Sequence, residues 1–131
     1  MADWIFPINP TAASRPRVSF KGGHAYFAGP YAKFRTAMKE LVPQVIGDDH
    51  SPYEGDVIVT VEFIATRPKT TKLAAPRGDI DNYLKAIFDA LNEWAWVDDK
   101  QVVICHARKS WSSSHEEEGY IKISVKEVEP S

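Results

Sequence analysis

A single cysteine, Cys105, stands in a chain of 131 residues. One thiol closes no intrachain disulfide, so the fold must be held by a buried core. The four histidines, His24, His50, His106 and His115, share no metal-ligand spacing with it or with one another, which excludes a structural zinc site. None of the four is given a role. No apolar run approaches the roughly 20 residues that span a bilayer, so no membrane partner is expected. The opening Met1-Ala2-Asp3-Trp4 lacks the basic and apolar regions of a secretory leader. Low-complexity tracts and internal repeats are also missing, which argues against extended disorder and against a solenoid. These absences predict a soluble protein of a reducing, cytoplasmic compartment, folded as one domain over residues 1–131.

Charge of one sign is lacking overall, with a formal net charge of −2. Its distribution is uneven. Residues 1–77 hold ten of the 16 Lys and Arg and seven of the 18 Asp and Glu; residues 78–131 hold the remaining six and eleven. A basic surface beside an acidic cluster suits a nuclease, although ordinary surface variation gives the same balance.

Apolar spacing outlines the elements. Trp4 to Ile8 reads as a short strand stopped by Asn9-Pro10. Val18 and Phe20, then Tyr26, flank a turn at Lys21-Gly22-Gly23 and suggest a hairpin. Pro30 suits the first position of a helix, where its missing N–H costs nothing. Tyr31, Phe34, Met38, Leu41, Val42 and Val45 then recur at helical spacing; Pro43 should kink the last turn, and Gly47-Asp48-Asp49 ends it. Asp56 to Thr66 is the clearest strand, with an apolar face (Val57, Val59, Val61, Phe63, Ala65) and a mixed one, so a central position with both faces at least partly covered is expected. A second helix is predicted over residues 82–93, its core face formed by Leu84, Ile87, Phe88 and Leu91. Strands at Gln101–Ala107 and Tyr120–Val128 complete a mixed α/β (α+β) domain of four or five strands and two helices.

The chemistry concentrates in Gly78-Asp79-Ile80-Asp81-Asn82-Tyr83-Leu84-Lys85 and in Val97-Asp98-Asp99-Lys100-Gln101-Val102. Asp81 is placed to cap the second helix and Asp79 lies just before it. Lys85, four residues on, shares a side of the helix with Asp81. If the strand after Asp98-Asp99 runs near the helix start, three carboxylates converge. Clustered carboxylates hold hard cations such as Mg²⁺, and a nearby lysine offers a fixed charge to a phosphate. Each piece alone has a plainer reading: a lone aspartate at a helix start is usually a cap, and an Asp-Asp pair in a loop is usually a turn.

Taken together, the order and spacing of these residues resemble the RusA family of Holliday-junction resolvases. The resemblance rests on the Asp-x-Asp-Asn-x-x-Lys run at Asp79, Asp81, Asn82 and Lys85, on Asp89-Ala90-Leu91, and on Asp98-Asp99-Lys100-Gln101-Val102. Arg15-Pro16-Arg17 and the aromatic hairpin after it resemble the family's opening region less specifically. The resemblance implies a RusA-like homodimer that binds four-way junctions and nicks opposed strands symmetrically in recombination and repair. It implies Mg²⁺, or Mn²⁺ in its place, held by Asp79, Asp81 and Asp99, with Asp98 as the alternative to Asp99. It places Lys85 near the scissile phosphate. The loop at residues 67–78 is longer than the family pattern leads one to expect.

Arg15, Arg17, Arg67, Lys69, Lys72 and Arg77 are the candidates for contacts to the DNA backbone, against the plainer reading of a solubilising surface. Trp94 and Trp96 suit a wedge between unstacked bases, but more often such residues pack on a core or an interface. Glu62 points from the central strand, either toward a metal or, on the plainer reading, to a Lys or Arg on the strand face. Cys105 should be a small buried side chain, and Glu116-Glu117-Glu118 a solvated loop. A non-cleaving module for branched DNA, or a metal-dependent phosphohydrolase acting on other DNA structures, are the rival functions.

Overall fold

A central strand with partners on both sides organises the molecule. In the computed structural model, which describes residues 1–19 and 21–129, β4 (Val57–Ala65) lies between β6 (Tyr120–Glu127) and β5 (Val102–Trp111). It runs antiparallel to β6 and parallel to β5. β1 (Ala2–Phe6) completes the sheet on the far side of β6, giving the order β1-β6-β4-β5. A separate short hairpin joins β2 (Arg17–Val18) to β3 (Ala25–Tyr26). The hairpin lies where the glycine turn predicts it; Phe20 falls outside the described residues.

Alternation on β4 sets the layers. Val57, Val59, Val61 and Phe63 are buried, against Phe6 of β1 and Ile121, Ile123 and Val125 of β6. Burying each such side chain fully stabilises the fold by about 1.5–3 kcal/mol. Two helices cover this face: α1 (Gly29–Ile46) contacts β1, α2 (Ile80–Leu91) contacts β5, and the helices touch each other. Tyr31, Phe34, Met38 and Val42 of α1, and Tyr83, Ala86, Ile87 and Leu91 of α2, point into the core. The other face of β4 carries no helix. Thr60 is exposed there and Ile58, Glu62 and Ile64 are half-buried, so that face is partly covered, as its mixed composition predicts.

Several boundaries move for identifiable reasons. β1 ends at Phe6 because Pro7 has no N–H for a ladder. Pro43 sits within α1, which continues to Ile46; Gly47, at φ 76°, closes it with a bond to the Pro43 carbonyl. α2 begins at Ile80, with Asp79 rather than Asp81 in the capping position and neither side chain making a capping bond. β5 extends to Trp111, four residues past the predicted end, because Ala65 of the central strand is still there to pair with it. Cys105 lies exposed on this edge strand rather than buried, since β5 has a neighbour on only one side.

Candidate functional site along helix α2

The start of α2 is held from three directions. Tyr83 stacks on Phe63 and donates its hydroxyl to the Arg77 carbonyl at 2.5 Å. Lys109 of β5 donates to the Gly78 carbonyl at 2.7 Å. The Ala13 amide donates to the Asn82 carbonyl at 2.9 Å, clasping the N-terminal segment to the helix. Gly78 adopts φ 98°, which favours glycine, and a Cβ there would sit tightly, 3.1 Å from the Tyr83 hydroxyl. The chain thus turns sharply and delivers Asp79 and Asp81 to the surface.

From Asp81 the helix repeats a polar position every four residues. Asp81, Lys85 and Asp89 are all exposed while the residues between them are buried or half-buried, so they form a ridge along α2. The ridge ends at a second acidic set. Asp98 and Gln101 form a reciprocal capping box on the 3₁₀ turn Asp99–Gln101. Gln101 also donates to the Tyr53 and Gly55 carbonyls, each at 2.7 Å. Asp99 is half-buried beside Asp98, Asp89 and Asn92. Burial first, then the charges of Asp98 and Asp89, push its carboxyl above the usual range, and a hydrogen bond with Asn92 partly opposes this.

The two acidic sets do not meet within one chain. Because β5 is parallel to β4, the segment feeding it starts beside the C-terminal end of α2, opposite the end where Asp79 lies. Eight residues of helix place Asp81 and Asp89 roughly 12 Å apart along the axis. Among the described residues, no three His, Cys, Asp or Glu side chains are arranged to hold one metal ion. β5 does pass the helix start, but at Lys109, ten residues beyond Asp99, so the strand that was to bring the carboxylates together delivers Asp98 and Asp99 to the other end of α2. The donor chemistry suits a hard cation; a single chain leaves it divided between two places.

The remaining candidates scatter around this ridge. Arg15 and Arg17 are exposed and line a cleft of about 420 Å³ beside the start of α1. Arg67 is tied down, its amide and Nε donating to the Ser112 hydroxyl and carbonyl, each at 2.9 Å. Lys69, Lys72 and Arg77 are exposed on the loop leading to α2. Trp96 is fully buried, bonded through its indole N–H to Asn92 at 2.7 Å and packed edge-on to Phe88; it belongs to the core. Trp94 is 37% exposed and walls a cleft of about 250 Å³ between the helices. Arg35 and Lys39 of α1 reach the same cleft as Asp89 and Asn92. Sequence reasoning gave Arg35, Lys39 and Asn92 no place in the site, and Asp89 only as part of the Asp89-Ala90-Leu91 run, although its four-residue spacing from Lys85 was a usable signal. Glu62 lies on the helix-free face, 3.9 Å from Arg108, so it pairs along the sheet and does not approach Asp79. Glu116, Glu117 and Glu118 are exposed, with Glu117 accepting from Ser113.

Comparison with known proteins places this arrangement. A family model described as endodeoxyribonuclease RusA matches residues 7–126. The chain is also 31% identical to the uncharacterized protein YqaN of Bacillus subtilis (strain 168), over 91% of each chain.

Proposed function

The chain belongs to the RusA family of endodeoxyribonucleases, and from that premise we propose that it nicks four-way DNA junctions symmetrically, as a metal-dependent homodimer. Membership in the family makes it a nuclease of the Holliday-junction-resolvase kind. The observation that carries the finer reading is the α2 ridge, with Lys85 between the acidic sets of Asp79 and Asp81 and of Asp89, Asp98 and Asp99.

Asp79, Asp81 and Asp99, with Asp98 as the alternative, are the residues that would hold Mg²⁺ or Mn²⁺. When bound, such a cation supplies charge neutralisation at the phosphate and a more acidic water. Lys85 offers a fixed positive charge to the scissile phosphate or the leaving oxygen. One chain separates these carboxylates, so the reading requires two. A two-fold axis that sets the α2 helices of two subunits antiparallel brings the Asp81 end of one to the Asp99 end of the other. Two such sites, related by symmetry, suit the nicking of opposed strands. Arg15, Arg17, Lys69, Lys72 and Arg77 would steer and seat the DNA backbone. Arg67 has less freedom for that task because its Nε is already bonded. The setting proposed is recombination and repair in the cytoplasm of a bacterial or phage-infected cell.

The test is an end-labelled synthetic four-way junction, incubated with Mg²⁺ or with chelator, beside linear duplex of the same sequence. Paired nicks near the crossover, dependent on metal and absent from duplex, are expected. Binding without nicks in either Mg²⁺ or Mn²⁺ would replace this reading with a non-cleaving branched-DNA module. Metal-dependent cleavage confined to other DNA structures would replace it with a different phosphohydrolase.

A further inference from the structure

The loop at residues 67–78 is tied at both ends and in the middle to the last part of β5 and the residue after it. Arg67 donates through its amide and Nε to Ser112. The Trp111 indole N–H donates to the Leu73 carbonyl at 3.1 Å. Lys109 donates to the Gly78 carbonyl at 2.7 Å. As the loop advances toward α2, its partners move backward along β5. The contact nearest the acidic residues is the one made by a charged strand residue.

Lys109 stands in register with Phe63 of the central strand, so its stem leaves the helix-covered side of β5. It is half-buried, and among the described residues its ammonium pairs with no carboxylate. Phe63 in turn stacks on Tyr83, whose hydroxyl donates to the Arg77 carbonyl. Two side chains anchored at one level of the sheet therefore hold two successive carbonyls, those of Arg77 and Gly78. The second bears directly on Asp79. The Gly78 oxygen and the Asp79 Cα lie in one rigid peptide plane, so fixing the oxygen fixes the point from which the Asp79 side chain leaves the backbone. Glycine alone supplies little restraint there, because its φ and ψ are freer than those of any other residue. The Asp79 side chain makes no capping bond of its own to hold it.

We propose that Lys109 is a positioning residue: through the Gly78 peptide it holds the Asp79 carboxylate in the direction that binding a divalent cation requires. The proposal rests on the metal site of the proposed function and adds a residue that touches neither metal nor phosphate. Groups that orient a metal ligand are part of the site's affinity even though they lie outside it. Lys85 and Lys109 then divide the work at this end of α2. Lys85 faces the phosphate, while the Lys109 charge is spent on a main-chain oxygen.

The test compares the native chain with Lys109→Met, which keeps most of the stem and removes the ammonium. Circular dichroism and light scattering check that fold and assembly are unchanged. Mn²⁺ binding, read from the electron paramagnetic resonance of the free ion, should weaken about 10-fold. The Mg²⁺ needed for half-maximal nicking should rise in parallel, with most of the rate recovered at saturating Mg²⁺. Junction binding in chelator, and its dependence on salt, should not change. Lys109→Arg keeps a charged donor and should recover most of the metal affinity. Mn²⁺ affinity equal to the native value in Lys109→Met overturns the proposal. So does a loss of junction binding in chelator with a flatter salt dependence, which would make Lys109 a phosphate contact instead. Should Lys109→Met misfold, nuclear magnetic resonance on the native chain decides: the Lys109 ammonium protons should exchange with water more slowly than those of the other lysines, and equal exchange overturns the proposal. Failure of the native chain to bind Mn²⁺ or to nick in any metal removes the metal reading itself; native binding and nicking that Lys109→Met leaves untouched removes only the role of Lys109.

Discussion

The two ends of α2 carry the same residue type in opposite settings. At the N-terminal end, Asp79 and Asp81 stand exposed where the chain emerges from a long loop. At the C-terminal end, Asp98 and Asp99 are half-buried, and Gln101 ties their turn to the Tyr53 and Gly55 carbonyls. One end offers carboxylates to solvent; the other holds them against like charges and partial desolvation. Neither end alone gathers the ligands that a hard cation prefers. The lesson is that a motif dense in sequence can be divided in space, because a helix separates its two halves by its own length.

The sharpest way to break this comparison is to ask whether the two ends act within one chain or between two. Asp81→Asn and Asp99→Asn are each expected to abolish nicking while leaving junction binding in place. If the ends act between subunits, mixing the two inactive proteins and allowing subunits to exchange restores one intact site per mixed dimer. Nicking should then return at a substantial fraction of the native rate, on one strand at a time. If each site is built within a single chain, every site in the mixture lacks one aspartate and the mixture stays inactive.

Next in size are two substitutions that loosen one end each. Gln101→Ala removes the side chain that satisfies two main-chain carbonyls and closes the Asp98 box. Leaving such buried groups unsatisfied should cost about 1–3 kcal/mol each where water cannot replace the bond, measured by urea denaturation. Gly78→Ala forces a Cβ into a left-handed turn against Tyr83. A cost of roughly 1–2 kcal/mol is expected from the backbone conformation alone. The first should disturb Asp99 more than Asp81, and the second the reverse. NMR chemical shifts of the two helix ends would read that difference.

How much of this was legible beforehand depended on whether a feature was local. The apolar alternation of Val57 to Phe63 and the helical repeat of Tyr31 to Val42 identified the central strand and α1, since periodicity belongs to the segment itself. The family was legible too, from Asp79 to Val102, and the family match agrees. Cys105 and Glu62 were harder. Whether a strand is an edge, and which face a helix layer covers, follows from partners distant in sequence. The same limit applied to the convergence of the carboxylates. Their spacing is local, but the direction in which β5 enters the sheet is not. For Trp96 packing on the core or an interface was the favoured reading, and its burial bears that out; its bond to Asn92 was not legible, because it depends on how the chain folds back after α2.

The smallest expected effect is also the one that separates the two ends by sign. The folded-state carboxyl of Asp99 titrates above its ordinary value, chiefly through burial and then through Asp98 and Asp89. A group raised in this way favours the folded state while protonated and loses that contribution as pH rises through its folded-state value. At neutral pH its charge therefore opposes folding. In metal-free buffer, Asp99→Asn should raise Tm slightly at pH 7, and the gain should shrink as pH falls and native Asp99 takes up its proton. Asp81 sits in the first turn of α2, where a negative charge is favoured by the helix dipole. Asp81→Asn should therefore lower stability at pH 7, by about 0.3–1 kcal/mol. Thermal melts of both variants from pH 4 to pH 7 would read the contrast. Two shifts of the same sign would mean that the ends of α2 do not differ electrostatically in the way their surroundings indicate.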